Sequence, residues 1–240
     1  MKKTVIILIA IAFIAVSCRQ TNNKTEGYSE QNVVYPSNAY YLRYKFVDST
    51  QVGKEGSHKI EILTHENDST KDCFVKIFCY KRYKGGEKKD WWLSCNEFIF
   101  DGVMLSEPEI SDYNNDGYND FAYESLYAAR SANIVRKLFI YDPENDEFIY
   151  IKNSENFPNL AYNKELNCIT SLMVYGCYAT VFLTLQNDSL KRFASVELCG
   201  NGELTVNEFD KYGNEKMIKH EMNNDFNLID PFKNYKPLKQ

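Results

Sequence analysis

Short stretches in which apolar and polar residues alternate dominate the chain. Lys59 to Thr64 alternates polar and apolar, the pattern breaks at Glu66-Asn67-Asp68-Ser69 and it resumes over Cys73 to Tyr80. There Phe74, Lys76 and Phe78 share one face and Val75, Ile77 and Cys79 the other. A period of two with a polar break predicts two strands joined as a hairpin. Lys84-Gly85-Gly86-Glu87 marks the next turn, before Trp91-Trp92-Leu93. Leu138 to Tyr141 and Phe148 to Ile151 flank Asp142-Pro143-Glu144-Asn145-Asp146. A Pro at the second turn position pre-sets φ, so this is a second hairpin. Ile169 to Tyr175, Tyr178 to Leu185, Leu190 to Leu198, Glu203 to Phe209 and Glu215 to Glu221 continue the series, punctuated by Gly176 and Asn187-Asp188. No long 3.6-residue periodicity interrupts them. The expected fold is all-β: an antiparallel meander, sandwich or propeller-like arrangement in one domain over residues 30–240, with a loose tail after about residue 223.

The N-terminus follows a different pattern. Lys2 and Lys3 precede an unbroken apolar run of 12 residues, Val5 to Val16. A bilayer span needs about 20, so residues 1–17 read as a signal peptide rather than an anchor. The run ends in Ala15-Val16-Ser17-Cys18, which resembles the lipobox of bacterial lipoproteins and implies lipidation of Cys18. Acyl chains, not protein, would then hold the molecule to the membrane of the cell envelope. Residues 18–29 are polar and read as a flexible tether. Arg19-Gln20-Thr21-Asn22-Asn23 lacks the acidic run that resembles a surface-export signal in Bacteroidetes lipoproteins, so a periplasm-facing location is expected.

Composition narrows the partners. The 240 residues are 44% hydrophobic and 15% aromatic, enough apolar material for a core and a bias toward pleated, half-buried surfaces. The formal net charge is −5, and no basic stripe occurs, which argues against nucleic acid. Three His (His58, His65, His220) make a His-rich metal site improbable.

Seven Cys less Cys18 leaves Cys73, Cys79, Cys95, Cys168, Cys177 and Cys199. In an oxidising compartment they permit up to three disulfides; the alternative is buried free thiols. Cys73 and Cys79 sit six apart on one expected strand, about 20 Å at roughly 3.3 Å per residue, too far for a bridge. No CxxC spacing suggests a Cys-ligated zinc.

The sharpest motif is Asp112-Tyr113-Asn114-Asn115-Asp116-Gly117-Tyr118-Asn119-Asp120. Oxygen side chains fall at loop positions 1, 3, 5 and 9 and Gly at position 6, the spacing with which a chain wraps Ca²⁺. Asp112, Asn114, Asp116 and Asp120 are the expected side-chain ligands, with the Tyr118 backbone carbonyl. Glu107 or Glu124 would complete the shell. Position 12 is Tyr123 and the flanks read as strand edges, so this is not an EF-hand. It resembles the DxNxDGxxD calcium loop of β proteins.

The order of signals around the loop resembles a family. After it come Ser125 to Asn133, Phe139-Ile140-Tyr141-Asp142-Pro143, Phe148, Pro158-Asn159, Ile169-Thr170-Ser171 and, past Gly176, two long strands. Over roughly residues 105–200 this is similar to periplasmic lipoproteins related to the Xanthomonas immunity protein that inhibits a lysozyme-like type IV secretion effector. The resemblance implies a fold like that of periplasmic lysozyme inhibitors and a cell-wall hydrolase as partner. The family's Gly- and Ser-rich loops are replaced here by Ser125-Leu126-Tyr127-Ala128-Ala129-Arg130-Ser131 and Val174-Tyr175-Gly176-Cys177-Tyr178. Tyr127, Arg130, Tyr175 and Tyr178 become the candidate partner-binding residues, since Tyr and Arg dominate interface hot spots.

Nothing points to an enzyme. GxSxG, HExxH and a Gly-rich phosphate loop are absent from the sequence. Adjacent Trp91 and Trp92 face opposite sides of a strand, so at most one serves a site. Two readings stay open: a protein-binding module that inhibits or protects against a cell-wall hydrolase, and a calcium-stabilised structural or assembly lipoprotein of the envelope.

Overall fold

The computed structural model describes residues 39–83, 91–102 and 106–222. The signal segment, Cys18, the tether, the Lys84-Gly85-Gly86-Glu87 turn and the tail after residue 223 lie outside the described residues. All described residues belong to one compact unit. Among them no helix is long and apolar enough to cross a membrane.

Three antiparallel meanders follow one another along the chain. The first joins β1 (Tyr40–Asp48), β2 (His58–Asn67), β3 (Cys73–Tyr83) and β4 (Trp91–Asp101) in that order. The second joins β5 (Glu109–Ser111), β6 (Asp120–Ala128), β7 (Asn133–Asp142) and β8 (Glu147–Tyr150). The third joins β9 (Leu160–Asn163), β10 (Cys168–Val174), β11 (Cys177–Gln186), β12 (Ser189–Cys199), β13 (Glu203–Phe209) and β14 (Glu215–Met222). Both expected hairpins form: Ile62 faces Ile77 across β2–β3, and Tyr141 faces Phe148 across β7–β8. The Asp142 carboxylate closes the second one by accepting the Glu144 N–H at 2.9 Å.

The meanders stack, and the alternation in each strand decides which layer a side chain enters. Ile60, Ile62, Val75, Ile77 and Cys79 from the first sheet share one cluster with Phe121, Tyr123, Phe139, Tyr141 and Phe148 from the second. This layer is largely aromatic: Phe121 stacks on Phe139 at 4.5 Å, and Phe98 meets Phe139 edge-on at 5.0 Å. The other face of the second sheet sends Ala122, Leu138 and Ile140 into a cluster with Ile169, Val181, Leu183 and Leu190 of the third. The second sheet is therefore the middle layer. That is why Leu138-Phe139-Ile140-Tyr141 is an unbroken apolar run: a strand buried on both faces has no polar position to alternate with. A third cluster, including Phe182, Val196, Leu198, Leu204 and Val206, lies on the far face of the third sheet. The stack is open, with no closed barrel among the described residues.

Ser125 to Asn133 is not one loop. β6 runs on to Ala128, and only residues 129–132 connect it to β7. Of the six cysteines, Cys177 and Cys199 form a disulfide, while Cys73, Cys79, Cys95 and Cys168 are free. Cys73 and Cys79 both lie on β3. Burial pushes the Cys79 thiol well above its ordinary range, with Cys95 adding to the shift, and pushes Cys168 up to about 11. Both behave as small core hydrophobes.

Candidate functional site

The acidic loop connects β5 to β6. Its turn comes from Asn115 and Gly117, with φ of 59° and 90°. Asn tolerates and Gly favours that left-handed region. The side-chain oxygens converge on the backbone amides of the turn. Asp112 accepts the Asp116 and Gly117 N–H groups at 3.1 and 2.9 Å, Asn114 accepts the same Asp116 N–H at 3.2 Å, and Asp116 accepts the Tyr118 N–H at 2.9 Å. Asp112, Asn114 and Asp116 are thus gathered at an exposed rim. The loop is braced from outside by Asn115, whose amide donates to Asn167 at 3.2 Å, and by the Tyr118 ring against Tyr141 at 5.3 Å.

Asp120 has a different role. It is wholly buried, its Oδ2 accepts the Tyr113 N–H at 2.8 Å and its Oδ1 the Tyr141 N–H at 2.9 Å. One carboxylate ties the entry of the acidic loop to β7. Desolvation, helped by the charges of Asp116 and Asp112 and opposed by the two amides, pushes its pKa up to about 8. The carboxylates of Asp112, Asp116 and Asp120 do not draw within 4.8 Å of one another as a trio, as those of a closed site would. Asp112, Asn114 and Asp116, at positions 1, 3 and 5, are the residues that could hold a cation, while position 9 is turned inward as a clamp. Neither candidate for completing the shell is at hand. Glu124 is four residues along β6, held by Arg136 at 3.3 Å and by the Tyr127 hydroxyl. Glu107 lies near Tyr44, whose pKa its charge helps raise after desolvation.

The other candidate region sits at the far end of β6. Asp120 opens that strand and Ala128 closes it, so the two ends are separated by roughly 25 Å at about 3.3 Å per residue. The β6–β7 connection holds three successive non-glycine residues at positive φ: Ala129 at 48°, Arg130 at 56° and Ser131 at 69°. Two asparagines pin it to the third sheet. Asn133 donates to the Val174 carbonyl and accepts the Val174 N–H, both at 2.9 Å. Asn159 donates to the Ala132 and Leu172 carbonyls at 2.9 and 2.8 Å and accepts the Ile134 N–H at 3.1 Å. Each amide imitates a peptide group and extends the ladder between two sheets. The 129–132 tip and the β10–β11 tip at Tyr175-Gly176 are therefore one rigid pair.

Arg130 lies on the first tip, Tyr127 near the end of β6 that leads into it and Tyr175 on the second tip, so three of the four candidate partner-binding residues belong to the same pinned end of the fold. Tyr178 does not join them fully. It faces Leu198 across β11–β12, on the opposite sheet face from Glu197, to which the Tyr175 hydroxyl donates. Burial and that carboxylate push the Tyr175 pKa up to about 12. Nothing in the sequence marks the clamping role of Asn133 or Asn159; Pro158-Asn159 entered only as part of the order of signals that resembles the family.

A comparison with solved structures finds a protein described as a Xanthomonas type IV secretion system related protein. It is 12% identical, with a TM-score of 0.45, and the alignment covers 75% of this chain and 96% of that one. No protein-family model matches the chain, and no curated protein does.

Proposed function

We propose that this chain is a lipid-anchored protein of the cell envelope that binds another protein through its paired hairpin tips, with a calcium ion at the acidic loop acting on the scaffold. The observation that carries the reading is the pinned left-handed turn at Ala129, Arg130 and Ser131. Each such residue costs about 1–2 kcal/mol. Strain of this kind persists where surrounding structure over-determines it, and it clusters at functional sites. At this end of the fold Tyr127 and Tyr175 are exposed at 40% and 51%, and Arg130 is exposed on the tip between β6 and β7. An Arg among exposed aromatic rings on a rigid support is the composition of an interface hot spot. The family resemblance implies a cell-wall hydrolase as the partner class and inhibition as the outcome of binding.

Asp112, Asn114, Asp116 and the Tyr118 carbonyl would hold the Ca²⁺, which supplies the charge that lets the exposed carboxylates share one rim. Its distance from the tips makes it a stabiliser of the fold rather than a recognition element.

The test is capture from envelope extract by the immobilised full chain. Wild type and Asp116→Ala are expected to retain the same partner. Arg130→Glu combined with Tyr127→Ala is expected to lose it while keeping the wild-type melting temperature. Retention by that double variant would move recognition away from the tips, and a calorimetric titration with no calcium uptake by wild type would remove the ion from the proposal.

A further inference from the structure

We propose that Cys177, Cys199 and Glu197 form a redox-gated site for a thiophilic divalent cation such as Zn²⁺: closed as the disulfide, and open once a dithiol donor has reduced it.

The three side chains share one face of the third sheet at the β11–β12 end. Cys177 and Cys199 are directly opposite each other in register, with Cα atoms 4.2 Å apart. That separation marks a non-hydrogen-bonded pair, in which side chains approach most closely. The β11–β12 register continues away from the bridge through Phe182 opposite Ala194 to Gln186 opposite Ser189, and β13 backs β12 from Leu198 opposite Leu204 to Ala194 opposite Glu208. Both sulfurs therefore stay side by side on the sheet after the bond between them is cut.

Glu197 supplies the third ligand. Its Oε1 lies 3.5 Å from Cys199 Sγ, and its Oε2 accepts the Tyr175 hydroxyl. A tetrahedral site with metal–sulfur bonds of about 2.3 Å and a metal–oxygen bond of about 2.0 Å sets sulfur and oxygen about 3.5 Å apart. One oxygen is thus aimed at the sulfur at ligand spacing while the other is held by a hydroxyl, the arrangement by which outer-shell partners orient a metal-ligating carboxylate. In the disulfide form that placement has no chemical return: a bridged sulfur carries no proton, so the carboxylate faces a group that donates nothing. With thiolates and a cation present, the same placement becomes a bond. Among the described residues this is the cluster of Cys and acidic side chains whose ligand atoms all lie within 4.8 Å of one another.

All three residues are half-buried, open to a reductant and to an ion. In the gating step, a donor thiolate attacks one bridge sulfur. The S–S bond breaks, a mixed disulfide forms and the other sulfur leaves as a thiolate. The donor's second thiolate then attacks the mixed disulfide, releasing the second cysteine and leaving the donor as its own disulfide, so two electrons pass to the protein. The cation takes the place of the thiol protons. Two thiolates and one carboxylate bind it, and a water fills the fourth position.

The experiment uses the full chain, reduced with a phosphine, desalted without oxygen and titrated with Co²⁺, followed by displacement with Zn²⁺. Reduced wild type is expected to develop thiolate-to-cobalt charge-transfer absorption for one equivalent of metal, lost on adding Zn²⁺. The oxidised protein should show none of it. Cys177→Ser/Cys199→Ser, which keeps the other thiols, defines the background and should not respond to reduction. Glu197→Gln should bind at least tenfold more weakly, with its sheet spectrum unchanged. The proposal is overturned if reduced wild type does no better than the double variant, if oxidised protein binds equally well, if Glu197→Gln binds like wild type, or if reduction dissolves the sheet.

Discussion

Single side chains do much of the joining between layers, and they do it by imitating backbone. Asn133 meets both polar groups of Val174, and Asn153 does the same for Leu190, donating to its carbonyl and accepting its N–H at 2.8 Å each. Asp120 accepts two amides from separate segments. Replacing it with Ala leaves both N–H groups buried without a partner, at about 1–3 kcal/mol each. Asp120→Ala is expected to lower the melting temperature equally with calcium and with chelator. Asp116→Ala, by contrast, should melt like chelated wild type and lose only the calcium-dependent increment, about 2.7 kcal/mol when the ion is a hundredfold above Kd. Thermal melts of the two variants in both buffers distinguish the roles; an Asp120→Ala protein whose deficit appears only with calcium would make it a ligand after all. The spacing of the acidic motif was plain in the sequence. That its ninth position turns inward was not, because it depends on where Tyr141 of a different strand presents its N–H.

At the level of elements, period-two patterning located the strands well. β2 alternates buried and half-buried positions along nearly its whole length, as Lys59 to Thr64 predicts. β1 escaped notice because its pattern is blurred: most of Tyr40 to Val47 is exposed, and the register slips between Leu42 and Tyr44. A loop around Arg130 was expected from the resemblance, but its left-handed turn was not, since Ala, Arg and Ser carry no turn signature and the Asn133 and Asn159 clamps that hold its ends act over long sequence separations. Ala129→Gly removes the Cβ penalty at one of these positions, and a gain of about 1 kcal/mol is expected, set against the greater flexibility of an unfolded Gly. A chemical-denaturation midpoint that falls instead would mean that Ala129 is not strained.

Across the whole molecule, three sheets are joined by two apolar layers and by polar contacts at the edges. The loop after β1 shows the join between the first two sheets. Gly53, with φ of 60°, donates its N–H to the Asn119 carbonyl at 2.7 Å, and a Cβ there would come within 2.9 Å of His58. The same loop is capped by Asp48, which accepts from the backbone of Thr50, Gln51 and Val52 at 3.0–3.2 Å. Desolvation pushes the Asp48 carboxyl up, but these amides and the Thr50 hydroxyl together outweigh it and leave the pKa below its ordinary 3.8. For a carboxyl depressed on folding, the stabilisation is complete above the unfolded pKa and is lost as pH falls through the folded one. Melts between pH 5 and pH 2 should therefore show a steep loss below about 4, shallower in Asp48→Asn, which keeps one acceptor but no charge. Asp120, shifted the opposite way, contributes equally to both proteins and cancels in the comparison. Identical acid limbs would show that Asp48 carries none of the effect.

Alternation and turn residues are local properties, so the sequence by itself determined that the chain forms antiparallel strands, roughly where they begin and end, which face of each is apolar, and that one acidic loop has cation spacing. Tertiary structure alone decided what those faces meet. The double burial of Leu138 to Tyr141 is compatible with any core strand until two sheets are seen to close on it. The pairing of Cys177 with Cys199 among six cysteines required the β11–β12 register, because a disulfide is chosen by Cα separation and not by sequence spacing. The union of the 129–132 and 175–176 tips required Asn133 and Asn159 to find backbone groups about 41 and 13 residues away. Such long-range hydrogen bonds leave no periodic trace in a sequence, because their partners are brought together only by the packing of the layers.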